Sequence, residues 1–159
     1  MKIVEYEEKY SENVKDLLVE LQEYIVSIDR EGYNIITSEY REKYFDKTMD
    51  EVNKYNGKIF LAKDEEKVIG LIIGLINNEE ESTYDFKAPK RGRITELVVS
   101  KNTRSSGVGT LLMEKMESHF KNVGCKGILL DVFAYNENAK KFYDNKGYFT
   151  RTEELMKKI

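Results

Sequence analysis

The chain is predicted to fold as an α/β domain in which a mixed, mostly antiparallel sheet carries helices on both faces. Three observations lead there. Segments with apolar residues every second position alternate along the 159 residues with segments of 3.6-residue periodicity. Val68 to Ile76 is an unbroken apolar run containing two glycines, the pattern of a strand covered on both faces. Lys58 to Lys63 meets Lys67 to Asn77 across Asp64, Glu65 and Glu66, which reads as a hairpin.

In chain order, residues 2–6 (KIVEY) alternate as a short strand, and a helix capped by Ser11 runs to about Asp29. Val14, Leu17, Leu18, Leu21, Ile25 and Ile28 form its apolar stripe, so it should lie on the sheet. A glycine-containing link, Asp29 to Thr37, leads to a second helix from Ser38 to Tyr55. Tyr24, Tyr33, Tyr40 and Tyr44 with Asp29, Glu31 and Glu39 read either as amphipathic packing residues or as an aromatic and acidic wall for a cation. After the hairpin, residues 78–91 with the sole proline, Pro89, are expected to be a mobile loop.

A strand from Ile94 to Ser100 then enters a polar loop, and a helix from Val108 to Asn122 follows with Val108, Leu111, Leu112, Met116 and Phe120 on one face. His119 falls off that stripe, as a surface histidine would. Lys126 to Phe133 reads as a buried strand, Asn136 to Lys146 as a helix capped by Asn136 and ended by Gly147, and Tyr148 to Met156 as a final strand completing the sheet. No repeat or composition shift marks a boundary, so residues 1–159 are expected to form one domain.

Composition excludes several functions. The 26 basic and 29 acidic residues are interspersed and sum to a formal charge of −3, which gives no footprint for nucleic acid. Cys125 and His119 are the only cysteine and histidine, so neither an intrachain disulfide nor a zinc cluster is expected. The longest apolar run falls far short of the roughly 20 residues of a membrane helix, and residues 1–10 lack a signal peptide's apolar core. A cytoplasmic protein is expected, and assembly as a homodimer stays open.

The chemistry concentrates at Ile94 to Thr110, ITELVVSKNTRSSGVGT. Gly107 and Gly109 allow close approach of a ligand to the backbone, and a helix start with unpaired N–H groups attracts phosphate. The run Arg104, Ser105, Ser106, Gly107, Val108, Gly109 resembles the R-x-x-G-x-G pyrophosphate loop of the GNAT-type N-acetyltransferases, with Ser105 where many members carry glycine. A second stretch, NENAKKFYDNKGY from Asn136 to Tyr148, resembles that family's N-x-x-A-x-x-L/F-Y-x-x-x-G-F/Y element and is the more specific of the two. The likeness covers about the last hundred residues, the first 57 matching in layout only.

That resemblance implies a single-domain fold with two strands splayed at the cofactor site, acetyl-CoA as cosubstrate, no metal, and transfer of acetyl to a primary amine of a small molecule or peptide by direct attack on the thioester. It implies coenzyme contacts from Leu97, Val98 and Val99 on the strand, from Arg104, Ser105, Ser106, Gly107, Val108, Gly109 and Thr110 on the loop and helix, and from Asn136 and Tyr143. Tyr143 would protonate the departing thiolate, or else be a tyrosine packed on Phe142. Glu96, alternating to the face opposite Leu97, is the candidate base, or else an edge carboxylate paired with Arg91, Arg93 or a lysine.

Two other readings compete. Gly107, Gly109 and Asp131 mimic a dinucleotide-binding fingerprint, but Leu112 fills its third glycine position and the loop is too long. A non-catalytic acyl-CoA sensor on the same fold is the alternative to an enzyme, because a fold does not by itself establish turnover.

Overall fold

The computed structural model describes residues 1–77 and 82–159. Among these, one sheet runs in the order β1 (Lys2–Glu5), β2 (Lys58–Asp64), β3 (Lys67–Asn77), β4 (Arg91–Val99), β5 (Ile128–Leu130). The first three pairings are antiparallel and the β4–β5 pairing is parallel, which is the mixed, mostly antiparallel sheet expected. Helices α1 (Ser11–Ile28) and α2 (Tyr40–Lys54) cover one face. Helix α3 (Val108–Asn122) covers the other, with Phe142 and Tyr143 of α4 (Glu137–Asp144) packed beside it.

β3 is central because its sequence leaves it no solvent face. Ile69 to Ile76 are all buried, Ile72 and Ile76 against α3 and Leu71 and Ile73 against α1 and α2. Two glycines let α3 lie close: an added Cβ would stand 2.4 Å from the Phe120 ring at Gly92 and 2.5 Å from Met116 Sδ at Gly74.

Several expectations need correction. Ser11 is the first residue of α1 rather than its cap, because a 3₁₀ turn at Glu8–Tyr10 feeds the helix and Tyr10 takes the cap position without a side-chain bond. α2 starts at Tyr40, two residues later than expected. On α3, Leu111 is 40% exposed and Met113 is fully buried. His119 is not plain surface: it packs edge-on to Phe60 at 5.9 Å, and its Nε2 is buried with no hydrogen-bond partner among the described residues.

The sheet ends differently too. β5 pairs over only three half-buried residues instead of eight buried ones, and the expected last strand is absent, since residues 149–159 lie outside any strand and are exposed. The β4–β5 pairing stops at Leu130, and among the described residues no strand pairs with the outer edge of β5. Of the loop expected to be mobile, residues 78–81 lie outside the described residues; beyond them the Ala88 N–H donates to Ser82 Oγ at 2.9 Å and the Thr83 N–H to the Phe86 carbonyl at 2.8 Å.

Candidate active site

β4 changes phase at one residue. Glu96 pairs with Ile73 and Ile94 with Gly74, so Thr95 is the extra residue of a bulge. Ile94 faces the α3 core before the bulge, and Leu97 and Val99 face it after, while Val98 is buried against α1 and α2. Glu96 therefore shares the face of Val98. Without Thr95 as an insertion, the alternation set by Ile94 would drive this carboxylate into the α3 core.

On that face the Tyr44 hydroxyl donates to Glu96 Oε1. Burial lifts the Glu96 carboxyl from the usual range to about 7, against the opposing pull of the Tyr44 bond and of Lys47 and with a smaller push from Glu51. Tyr143 reaches the same charge from α4: burial first and Glu96 second push its hydroxyl up to about 12. Its ring stands edge-on to Phe142 at 5.4 Å and tilted against Tyr148 at 5.7 Å. Glu96 is thus not an edge carboxylate tied to arginine; Arg93 pairs with Asp131 instead, at 2.7 Å.

The sheet opens beside these groups. The β4–β5 ladder covers Gly92 to Ile94 against Ile128 to Leu130 and stops there. Ser100 N–H donates back to Ile69 on the β3 side at 2.9 Å, and Val98 pairs with Leu71. By strand alternation the backbone groups of Leu97 and Val99 point to the opened side, where the Val99 carbonyl accepts from Arg104 Nε at 3.2 Å.

At the end of the opening sits the start of α3. Gly107 caps it at φ +83° with no side-chain bond, and its first turn holds no acidic residue, so the N–H groups of Val108, Gly109 and Thr110 meet no competing carboxylate there. A Cβ at Gly109 would stand in ordinary van der Waals contact with Phe142 at 3.6 Å and Val99 at 3.8 Å, so a single methyl fits there and a larger side chain would crowd the helix start. Ser105 holds φ +63°, a left-handed backbone that accounts for the glycine common at this place in the resembled loop. The Ser106 hydroxyl donates to the Thr103 carbonyl. An uncapped, acid-free helix start next to an opened strand edge fits a pyrophosphate joined to a pantetheine arm.

Arg104 faces α1. Its guanidinium lies 5.3 Å over the Tyr24 ring and 3.9 Å from Glu20, which also accepts the Lys101 N–H at 2.7 Å. Asn136 caps α4, its Oδ1 accepting from the Ala139 N–H at 3.2 Å and from the Tyr24 hydroxyl at 3.1 Å. Sequence reasoning missed Glu20 and the bracing role of Tyr24, since both contacts span about eighty or more residues. It named Tyr44 only as one of a crowd; the four-residue spacing from Tyr40, which stacks on it at 4.9 Å, was the one signal available.

The acidic wall takes another form. Asp29 accepts from the N–H groups of Glu31 and Asn34 and from Asn34 Nδ2, bonds that hold it at about 2. Glu31 accepts from the Tyr135 hydroxyl at 3.0 Å, and Glu39 pairs with Lys43 at 2.6 Å. These carboxylates close a loop and support a helix. Among the described residues, no group of three or more His, Cys, Asp or Glu is placed to hold a metal, and no helix is long and apolar enough to cross a membrane.

A mixed sheet opened beside an uncapped helix start, with the half-buried carboxylate of Glu96 and the half-buried phenol of Tyr143 nearby, is the arrangement of an α/β enzyme suited to an anionic coenzyme. Residues 29–148 match the model of the acetyltransferase (GNAT) family. The chain is 25% identical over 126 residues to glucosamine 6-phosphate N-acetyltransferase of Arabidopsis thaliana, covering 79% of this chain and 83% of that one. It is 29% identical over 111 residues to N-alpha-acetyltransferase 30 of Schizosaccharomyces pombe, covering 70% and 66%. The solved structure of a putative acetyl transferase from Pyrococcus furiosus superposes with a TM-score of 0.74 at 28% identity over 99% of both chains. The chain belongs to the GNAT family and is an acetyltransferase.

Proposed function

We propose that the protein moves an acetyl group from acetyl-CoA to a primary amine of a small molecule or peptide by direct attack of the amine on the thioester. The observation that carries this reading is Glu96, turned by the bulge to a half-buried position where it accepts from Tyr44, has its carboxyl raised to about 7 by burial, and acts electrostatically on Tyr143. Acetyl-CoA, which the family uses, supplies the acetyl carbon and a sulfur leaving group. The opened backbone of Leu97 and Val99 receives the pantetheine and the acetyl carbonyl, with Val98 holding the strand to β3. The N–H groups of Val108, Gly109 and Thr110 receive the pyrophosphate, and Arg104, Ser105, Ser106 and Gly107 set the loop. Asn136 fixes the start of α4 beside the arm. Glu96 takes the proton the amine must lose as its nitrogen bonds to carbon and the carbon–sulfur bond breaks.

The acidity of Glu96 narrows the acceptor. Moving a proton to a carboxylate near 7 costs about 1.4 kcal/mol from an α-amino group of pKa about 8, and about 5 kcal/mol from an alkylamine of pKa about 10.4. A panel of glucosamine 6-phosphate, a peptide with a free N-terminus and spermidine, read as free thiol released from acetyl-CoA, tests both the reading and this order. Turnover should favour the first two over spermidine, and a screen in which only hydroxyl or thiol acceptors react would overturn the amine assignment.

The loop assignment has its own test. Gly109→Val is expected to lower affinity for coenzyme A by roughly tenfold or more in calorimetry, because a branched side chain wedged between Phe142 and Val99 crowds the helix start that would receive the pyrophosphate. Unchanged affinity would take the loop out of the site.

A further inference from the structure

We propose that Tyr44 is a positioning residue for Glu96, fixing the rotamer of the carboxylate and setting the pH at which it becomes a base. The inference rests on the reading of Glu96 as the base. Glu96 sits on the sheet face against which α2 packs, and the hydrogen bond from the Tyr44 hydroxyl to Oε1 is the contact that fixes its carboxylate. α2 in turn leaves Tyr44 little freedom. Tyr40, one turn earlier, stacks on its ring at 4.9 Å and 15° between planes, Lys47 lies 5.6 Å over it, and the Thr48 hydroxyl donates to the Tyr44 carbonyl at 2.7 Å.

The charged and titratable groups around Glu96 are Tyr40, Tyr44, Lys47 and Glu51 from α2 and Tyr143 from α4. Burial raises the pKa of all three phenols above the usual tyrosine value, so each stays protonated through the neutral range. Tyr44 is the one that hydrogen-bonds the carboxylate, and a donor favours the charged form. It offsets part of the rise that burial imposes, keeping Glu96 ionised near pH 7 where an otherwise bare buried carboxyl would stay protonated. A packing tyrosine with the same ring and no bond to Glu96 would have no such effect.

The experiment follows the Glu96 carboxyl by carbon-13 NMR in protein labelled at glutamate, the resonance being assigned as the one missing from Glu96→Gln. In the wild type its midpoint is expected near 7; in Tyr44→Phe it should move up by about one unit, which appears as a roughly tenfold lower kcat/KM at pH 6 with little change on the plateau above it. Replacing Tyr44 with 3-fluorotyrosine, a more acidic phenol that keeps the ring, should move the midpoint down, which serves if Tyr44→Phe folds poorly. A midpoint unmoved by either change overturns the positioning role while leaving Glu96 as base. An acid limb that persists in Glu96→Gln, measured with the best acceptor among glucosamine 6-phosphate, the free peptide and spermidine, overturns the base reading and this inference with it.

Discussion

Glu96→Gln is expected to lower kcat/KM by roughly 10²- to 10⁴-fold, the range in which a positioned general base contributes. The substitution is close to isosteric and keeps an acceptor for the Tyr44 hydroxyl, so the loss isolates the proton-accepting function. The pH dependence fixes its sign. Glu96 acts only when ionised, and burial raises its midpoint to about 7, so wild-type kcat/KM should climb as pH rises through 7 and level off above it. The variant should lose that limb. Stability runs the other way: a carboxyl whose folded value is raised stabilises the fold below its unfolded value of about 4.5, and that contribution is lost as pH rises through about 7. Relative to wild type, Glu96→Gln should therefore melt higher at pH 8 than at pH 5. Full activity in the variant would return Glu96 to the status of a buried partner for Tyr44.

Where apolar pattern alone decides, the sequence could be read to the residue. β3 and α3 begin and end where periodicity places them, because a run such as Lys67–Asn77 and a stripe from Val108 to Phe120 each set their own bounds, although within the stripe Met113 rather than Leu111 is buried. The hairpin across Asp64 to Glu66 and the Asn136 cap were legible for the same local reason. The site is less legible, because its parts meet through features with no local signature. Nothing in Ile94-Thr95-Glu96-Leu97 announces that Thr95 is an insertion, yet that residue decides which face Glu96 occupies. The Tyr44 contact spans fifty-two residues and depends on how α2 crosses the sheet. The short β5 and the unpaired segment 149–159 failed for a third reason: strand propensity was present, but a partner edge of the right length was not.

Tyr143→Phe is the second large effect, and its size depends on what the hydroxyl does. Its pKa is pushed up to about 12, whereas a cysteine-type thiol lies near 8.5. Complete transfer of its proton to a departing thiolate would therefore be uphill by about 3.5 units, or about 5 kcal/mol. A hydrogen bond that stays on the tyrosine while charge builds on sulfur has no such cost, and a bond to a charged group is worth about 1.5–3 kcal/mol. The expected loss in kcat is accordingly about 10- to 150-fold, with the thiol taking its final proton from elsewhere. Because phenylalanine keeps the contacts to Phe142 and Tyr148, affinity for coenzyme A measured by calorimetry should stay within about twofold. The loss should also be the same at every pH from 6 to 9, since a phenol near 12 stays protonated throughout, and this separates it from Glu96→Gln, whose effect follows the acid limb. Wild-type kcat in Tyr143→Phe, with coenzyme binding intact, would make Tyr143 a packing residue and leave the sulfur to depart unassisted by this side chain.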